Sequence, residues 1–253
     1  MNITLASLNH RSIAIGLLTF GLSWMSWLPG IAQALPDFSG TGRSGNRVGG
    51  ASRSGGCARI TDSHMMPIVP IEADHGGQTT QAQPTFWVYV PYTLDENSPV
   101  TFAIHDEHGN DIYQTTFTTA AMPGVYGMQL PDSVELENGS YYDWYLLVYC
   151  NDPLRQEVPS FASGWVQRVE LPDSIDAGMI DEMTPMDQSR LFASELLWYD
   201  ALEPLGEVLQ DNPDDANIVA EWMDLLELPS VQLNEFSRFP VVPCCDISAE
   251  NDE

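Results

Sequence analysis

The chain has 253 residues, 36 of them Asp or Glu against nine arginines and no lysine, for a formal net charge of −27. Without lysine there is no Schiff-base chemistry and no phosphate-cradling P-loop, and so strong a negative field excludes nucleic acid and anionic membrane surfaces as natural partners. The length leaves room for one large domain or two small ones beyond any processing segment.

Residues 1–34 are predicted to be a signal peptide. Arg11 supplies a small positive n-region, "SIAIGLLTFGLSWMSWL" (12–28) is an uncharged h-region, and Pro29-Gly30 ends it. Ala32-Gln33-Ala34 fits the small-x-small cleavage pattern, which places the cut between Ala34 and Leu35. The expected location is therefore extracytoplasmic, periplasmic or secreted. No later stretch is long and apolar enough to span a bilayer, so no transmembrane segment is expected after cleavage. All 36 acidic residues lie beyond the cut with eight arginines, which leaves the expected mature chain at −28.

Residues 35–56 are read as a linker, because "SGTGRSGNRVGGASRSGG" (39–56) is rich in glycine, serine and arginine and nearly devoid of apolar side chains. Arg43, Arg47 and Arg53, with Arg59, form a basic island that can fold back on the acidic body or touch an anionic partner.

From Cys57 to Leu171 apolar residues alternate between turn signals, the mark of an all-β region. Seven strands are predicted, at 66–70, 85–92, 100–107, 111–119, 125–130, 140–150 and 161–171, with His108-Gly109-Asn110 turning the third into the fourth. Seven short strands over this length suit an immunoglobulin-like β-sandwich. Along "YYDWYLLVYC" (141–150) one face carries Tyr142, Trp144, Leu146, Val148 and Cys150, and the other Tyr141, Asp143, Tyr145, Leu147 and Tyr149. The first, uncharged and holding the tryptophan, is predicted to face the core.

Over 172–229 the period changes to that of a helix. One apolar stripe runs through Leu191, Glu195, Trp198, Leu202, Leu205 and Leu209, and a second through Ile218, Trp222, Leu225 and Leu226. Ala201, Leu205, Val208 and Pro213 match the small, large, small and proline positions of a tetratricopeptide-type second helix, so a short helical hairpin is predicted. Pro204 departs from that pattern and requires a first-turn position or a kink. A single helical unit must bury its stripe on the sandwich or on a partner. Residues 230–253, with two prolines, no clear period and an acidic end, are predicted to be a disordered tail. The fold class expected is thus β-rich α+β: a seven-stranded immunoglobulin-like sandwich followed by a C-terminal tetratricopeptide-like hairpin.

Taken together, "GNRVGGASRSGGC", "PTFWVYVPYT", "FAIHDEHGNDIYQTTF", "YYDWYLLVYC", "GWVQRV" and "LLWYDALEPLGEVLQDNPDDANIVAEWMDLLE", in this order over residues 45–228, resemble the cyanobacterial family of unknown function 928 (DUF928). The resemblance implies an exported protein and Cys57 with Cys150 as the family pair, and supplies no activity, cofactor or catalytic residue. Their positions agree, since Cys57 opens the β region and Cys150 closes a core-face strand. The alternative is two buried thiols. Cys244 and Cys245 lie outside the resemblance; adjacent cysteines strain a mutual bond, so they are expected to link two chains or stay reduced.

No cofactor or metal site is expected. His105 and His108 flank a solvated turn, and Met179, Met183 and Met186 read as a packing stripe. G-x-S-x-G, H-E-x-x-H and Walker patterns do not occur. The reading is a non-catalytic binding or adaptor protein with a protein partner in the cell envelope. The alternative is a glycan-binding module that stacks sugars on Tyr141, Tyr145 and Tyr149, a platform that vanishes if the helices cover those rings.

Overall fold

The computed structural model describes residues 35–41, 57, 60, 61, 63–74, 76–243 and 245. The expected leader and most of the expected linker lie outside them. Eight strands run through the described residues: β1 (Met66–Pro67), β2 (Gly76–Thr79), β3 (Thr85–Val90), β4 (Val100–Asp106), β5 (Asp111–Phe117), β6 (Gly124–Gln129), β7 (Tyr141–Val148) and β8 (Ser160–Arg168). Four helices follow: α1 (Ala177–Ile180), α2 (Pro185–Ser194), α3 (Trp198–Asp211) and α4 (Ala216–Leu226). The architecture is β-rich, with a three-stranded sheet ordered β1-β3-β6 and a five-stranded sheet ordered β2-β8-β7-β4-β5.

Seven of the strands answer to the seven expected, and β2 is an addition to them. Its Gly76-Gly77 pair, which falls in none of the seven expected strands, forms a parallel pairing with β8, Gly76 opposite Trp165. The glycines are there because indoles lie against both: a Cβ on Gly76 would fall 2.3 Å from the Trp165 ring, and one on Gly77 would fall 2.7 Å from Trp198 Cβ. Close approach sets the composition.

β7 occupies the middle of the five-stranded sheet, antiparallel to β4 and to β8. Its burial alternates as expected, with Tyr142, Trp144, Leu146 and Val148 buried and Tyr141, Asp143, Tyr145 and Leu147 half-buried. The two sheets meet at Phe86 of β3, whose ring lies 5.3 Å from Phe102 of β4 and 5.3 Å from Trp144. β4 turns into β5 through Gly109 at φ 80, and the Asp106 carboxylate accepts from the backbone N–H groups of His108 and Asn110 at 2.8 Å each.

β3 is buried at all six positions, because both of its faces are covered. Phe86, Val88 and Val90 point between the sheets, while Trp87 and Tyr89 point outward into the helical layer. Trp87 packs on Trp222 of α4 at 5.8 Å and under Gly206 of α3. Tyr89 stacks on Phe239 at 4.2 Å and touches Phe236 at 5.2 Å. The helices therefore bury their stripes on the three-stranded sheet and against β2 within this chain.

Local chemistry sets the helix limits. Thr184 caps α2 by accepting from Asp187 N–H, with Pro185 in the first turn. Asp215 caps α4 by accepting from the N–H groups of Asn217 and Ile218 at 3.1 and 3.3 Å. The first stripe does not belong to one helix: the chain breaks at Glu195–Leu197, where Leu196 takes φ 61, and divides the stripe between α2 and α3. Pro204 sits inside α3 beyond its first turn, so the helix there forgoes a bond to the Asp200 carbonyl. Arg190 of α2 clamps Glu221 of α4 with two hydrogen bonds, at 2.9 and 2.5 Å.

The expectation of disorder for residues 230–253 is corrected over residues 230–243, while 244 and 246–253 lie outside the described residues. Residues 230–243 are folded onto the body: Val231, Leu233 and Val241 are buried, Ile71 N–H donates to Val231 O, and Val241 bridges Val125 in parallel. Leu233, Phe236, Phe239 and Val241 supply the apolar surface that the absence of a period concealed, and residues 240–242 cover the outer edge of β6. At the other end Phe38, inside the expected linker, is fully buried in a 3-10 turn (Phe38–Thr41) and meets Trp198 edge-on at 5.1 Å.

Candidate binding surface

Tyr141 and Tyr145 of the proposed sugar platform lie on the outer face of β7, opposite the buried Tyr142, Trp144 and Leu146. Tyr141 is 5.8 Å from the Trp165 ring, and Tyr145 is 5.2 Å from the His105 ring. Tyr149 falls just past the end of β7, with its N–H donating to Pro99 O at 3.0 Å. Strand rise separates Tyr141 from Tyr145 by about 13 Å. The structure thus places the rings of Tyr141 and Tyr145 on one side without joining them into a single stack. Trp165, which sequence reasoning left out, is the indole of this face; it is buried, and its Nε1 donates to Ala73 O at 3.1 Å.

A second surface lies where β3–β4 (residues 91–99), β5–β6 (118–123) and β7–β8 (149–159) connect at one end of the sheets, since Val100 is opposite both Phe117 and Val148, and Val148 is opposite Ser160. Met122, Leu154 and Val158 are exposed there, Met122 by 71 % and Leu154 by 74 %, and Ile60 is exposed after Cys57. The frame beneath them is ordered. Leu94 and Ala121 exchange backbone hydrogen bonds at 2.8 and 3.2 Å, Asn151 N–H donates to Ser98 Oγ at 3.2 Å, and Arg155 donates to Thr116 Oγ1 at 3.1 Å. Asp152 holds the longest connection from within by accepting from Glu157 N–H at 2.7 Å. The Cys57–Cys150 disulfide, Cα atoms 5.0 Å apart, ties the entry of the β region to this end. Sequence reasoning missed these side chains because loop composition reports the turn and not what the turn displays.

A third cluster lies at the opposite end, where α3 rests on residues 79–85. Asp200 and Glu203, both buried, sit one turn apart on the helix. Thr80 N–H donates to both Asp200 oxygens at 3.1 Å, and the Thr80 hydroxyl donates to Asp200 as well. Thr85 Oγ1 donates to Glu203 at 2.8 Å, and Gln81 Nε2 donates to its other oxygen. Burial raises the Asp200 carboxyl above its ordinary range, against the pull of hydrogen bonds from Thr80 and Thr79. Burial likewise pushes Glu203 from 4.5 up to about 7; the Thr85 and Gln81 bonds oppose this, and the negative charges of Glu207 and Asp200 reinforce it. All four carboxylate oxygens have donors, as a structural anchor requires.

Among the described residues no group of three or more His, Cys, Asp or Glu is arranged to hold a metal ion. His105 Nε2 lies 3.1 Å from Asp111, across the hairpin. Cys245 is disulfide-bonded, which corrects the expectation that it could stay reduced, whereas Cys244 lies outside the described residues. Met179 of the methionine stripe is 57 % exposed, and Met186 packs against the core. No described helix is long and apolar enough to cross a membrane.

The family described as Domain of Unknown Function (DUF928) matches residues 48–241. No curated protein matches the chain. Among solved structures, the fibronectin type III domain of the human collagen alpha-1(XX) chain is similar at 15 % identity and a TM-score of 0.26, over 51 % of this chain and 96 % of that one. Two crystal structures of the Parabacteroides merdae β-glucuronidase are similar at 10 % and 11 % identity with TM-scores of 0.22 and 0.23. The matches cover 42 % and 68 % of this chain but only 17 % and 33 % of those enzymes.

Proposed function

Because the chain belongs to the family described as Domain of Unknown Function (DUF928), whose description names no activity, we propose its function from its geometry: an exported, non-catalytic binding protein that docks a protein partner in the cell envelope. The observation that carries the reading is the loop end. Three of the eight large apolar side chains exposed among the described residues, Met122, Leu154 and Val158, lie on those connections, which are pinned by hydrogen bonds and a disulfide, and a fourth, Ile60, follows the disulfide-bonded Cys57. Rigid loops on a β scaffold present side chains with little ordering cost on binding. Export is supported by the leader-like N-terminus and by a disulfide, which persists in oxidising compartments.

We read the β region as an immunoglobulin-like sandwich. The order of its strands supports this, as does Tyr142 near the start of β7, whose hydroxyl accepts from Glu137 N–H at 2.8 Å in the manner of a tyrosine corner. In that fold the corresponding end carries the recognition loops. α2 and α3, joined by three residues, are the pair we read as tetratricopeptide-like. Their stripes are buried on the sheet, which turns attention from the helices to the loops.

The test is affinity capture from an envelope extract with the intact protein and with a Leu154→Asp/Val158→Asp variant of unchanged melting temperature. A partner held by the first and lost by the second is the expected result. Equal recovery by both, or none by either, removes the loop end as the docking site. The second reading, glycan binding on the tyrosine side of the five-stranded sheet, is favoured by one observation: α3 meets that sheet at β2 and through Tyr199, on the side of Trp144, and Tyr145 on its outer face is left half-buried. Oligosaccharide titrations followed by tyrosine-side NMR shifts decide it, and shifts that survive Tyr145→Ala unchanged count against it.

A further inference from the structure

α3 is seated on the β region through acids, and no cation is bonded to them: Arg168, opposite Thr79 at the end of β8, gives its guanidinium to Leu136 O instead. β2, β3 and the connection between them carry no ionisable side chain on this seat apart from Tyr89, which faces Phe236 and Phe239. α3 itself brings Tyr199, Asp200, Glu203, Glu207 and Asp211; α2 brings Asp187 and Arg190; α4 brings Glu221 and Asp224. Arg190 is engaged by Glu221. The charges that act on Glu203 are Glu207 and Asp200, both of its own sign.

We propose that Asp200 and Glu203 make this seat a proton-operated latch, which holds the helical layer shut against the three-stranded sheet when the acids are protonated and eases it open when they ionise. The hydrogen bonds allow both states. A protonated Glu203 donates to the Thr85 hydroxyl, which accepts as readily as it donates, and its other oxygen still accepts from Gln81 Nε2. A protonated Asp200 does the same with the Thr80 hydroxyl and keeps the Thr80 N–H bond. Ionisation places two negative charges one helical turn apart in a buried site without a counter-ion, which is costly in proportion to burial. The raised affinity of both groups for protons agrees with this arrangement. What opening would uncover is specific: Trp87, Trp222 and the face of α3 around Gly206. The latch is independent of the loop end at the other side of the molecule, so either reading can fail alone.

The experiment is hydrogen exchange on the full chain, read at the amides of residues 198–211 at about pH 5 and about pH 8 and corrected for intrinsic rates. The expected result is opening about tenfold or more greater at the higher pH, since a group that binds its proton about ten times more tightly in the closed state shifts the closed-to-open ratio by the same factor when that proton is lost. In Glu203→Gln the difference between the two values shrinks to what Asp200 alone supplies. Equal opening of the wild-type helix at both pH values overturns the proposal, as does an unchanged pH dependence in a folded Glu203→Gln. If that variant does not fold, infrared titration of the wild-type protein decides: loss of a protonated-carboxyl band near neutrality supports the latch, and absence of such a band at about pH 5.5 overturns it.

Discussion

Trp144 of β7 and Tyr199 of α3 are joined by a 2.9 Å hydrogen bond between the indole Nε1 and the phenol oxygen, across 55 residues of sequence. The phenol donates its own proton to Trp165 O at 2.7 Å, so one hydroxyl links the central strand, its neighbour and the helix. Burial pushes the Tyr199 hydroxyl well above its ordinary titration range, as a fully enclosed phenol requires. The strand is the core of the sheet, and its tryptophan is also the helix's point of attachment.

Trp144→Ala is therefore expected to cost about 3 to 5 kcal/mol, through lost burial and the cavity left behind. Tyr199→Phe should cost about 1 to 3 kcal/mol, because it leaves the Trp144 indole N–H buried without its partner and removes the phenol's bond to the Trp165 carbonyl. Urea unfolding checks both. A Trp144→Ala protein as stable as wild type would mean that the face assignment of β7 is inverted.

Gly206 is required by contact rather than by conformation. A Cβ there would sit 2.2 Å from Trp87 Cζ2, inside a helix where alanine is otherwise preferred. Gly206→Ala should destabilise the protein by about 1 to 3 kcal/mol despite the better helix former, and Trp87→Phe should relieve part of that loss. A double-mutant cycle in thermal unfolding measures the coupling, and additive effects would show that the two groups do not meet.

Reduction of the Cys57–Cys150 bond, which closes 93 residues, should lower stability by about 4 to 5 kcal/mol in the chain-entropy account. Melting with and without reductant checks the size of the effect. Peptide mapping under non-reducing conditions checks the pairing, and recovery of both cysteines alkylated would refute it.

Removal of residues 230–253 should lower the melting temperature. Val231, Leu233 and Val241 lose their sites, and the outer edge of β6 loses its cover. A truly disordered tail would leave the melting temperature unmoved, which is the outcome that would restore the first expectation for this segment.

Stability should fall as the pH rises from about 4.5 to about 7. Over that window the folded state keeps the Glu203 proton that the unfolded state has released, so the folded state binds more protons and the slope of unfolding free energy against pH is negative. The contribution of Glu203 is about 3 kcal/mol, fully present below the unfolded value and gone above the folded one. Asp200 adds in the same direction. Urea midpoints of wild type and Glu203→Gln across that range isolate the effect of this one carboxyl; parallel curves would assign it elsewhere.

Much of the fold is written locally. β7 alternates apolar and polar residues because one face is packed and the other is not, and that period of two can be read from Tyr141 to Val148 with no knowledge of its neighbours. β3 is uniformly apolar from Phe86 to Val90, a pattern that also marks the sheet covered on both sides. The turn at Gly109 and the caps at Thr184 and Asp215 are equally local, since each depends on a few consecutive residues. What the chain does not declare locally depends on which surfaces meet. Gly76-Gly77 carries no strand signal until two indoles press on it; the segment after Ser230 looks formless until Tyr89 and Val125 receive its side chains; Asp200 and Glu203 look like ordinary surface acids until Thr80, Gln81 and Thr85 enclose them. Periodicity records the environment of regular elements, whereas burial of irregular and charged residues is fixed by long-range packing. The loop end belongs to this second class, because only the strand order brings Met122, Leu154 and Val158 to the same side.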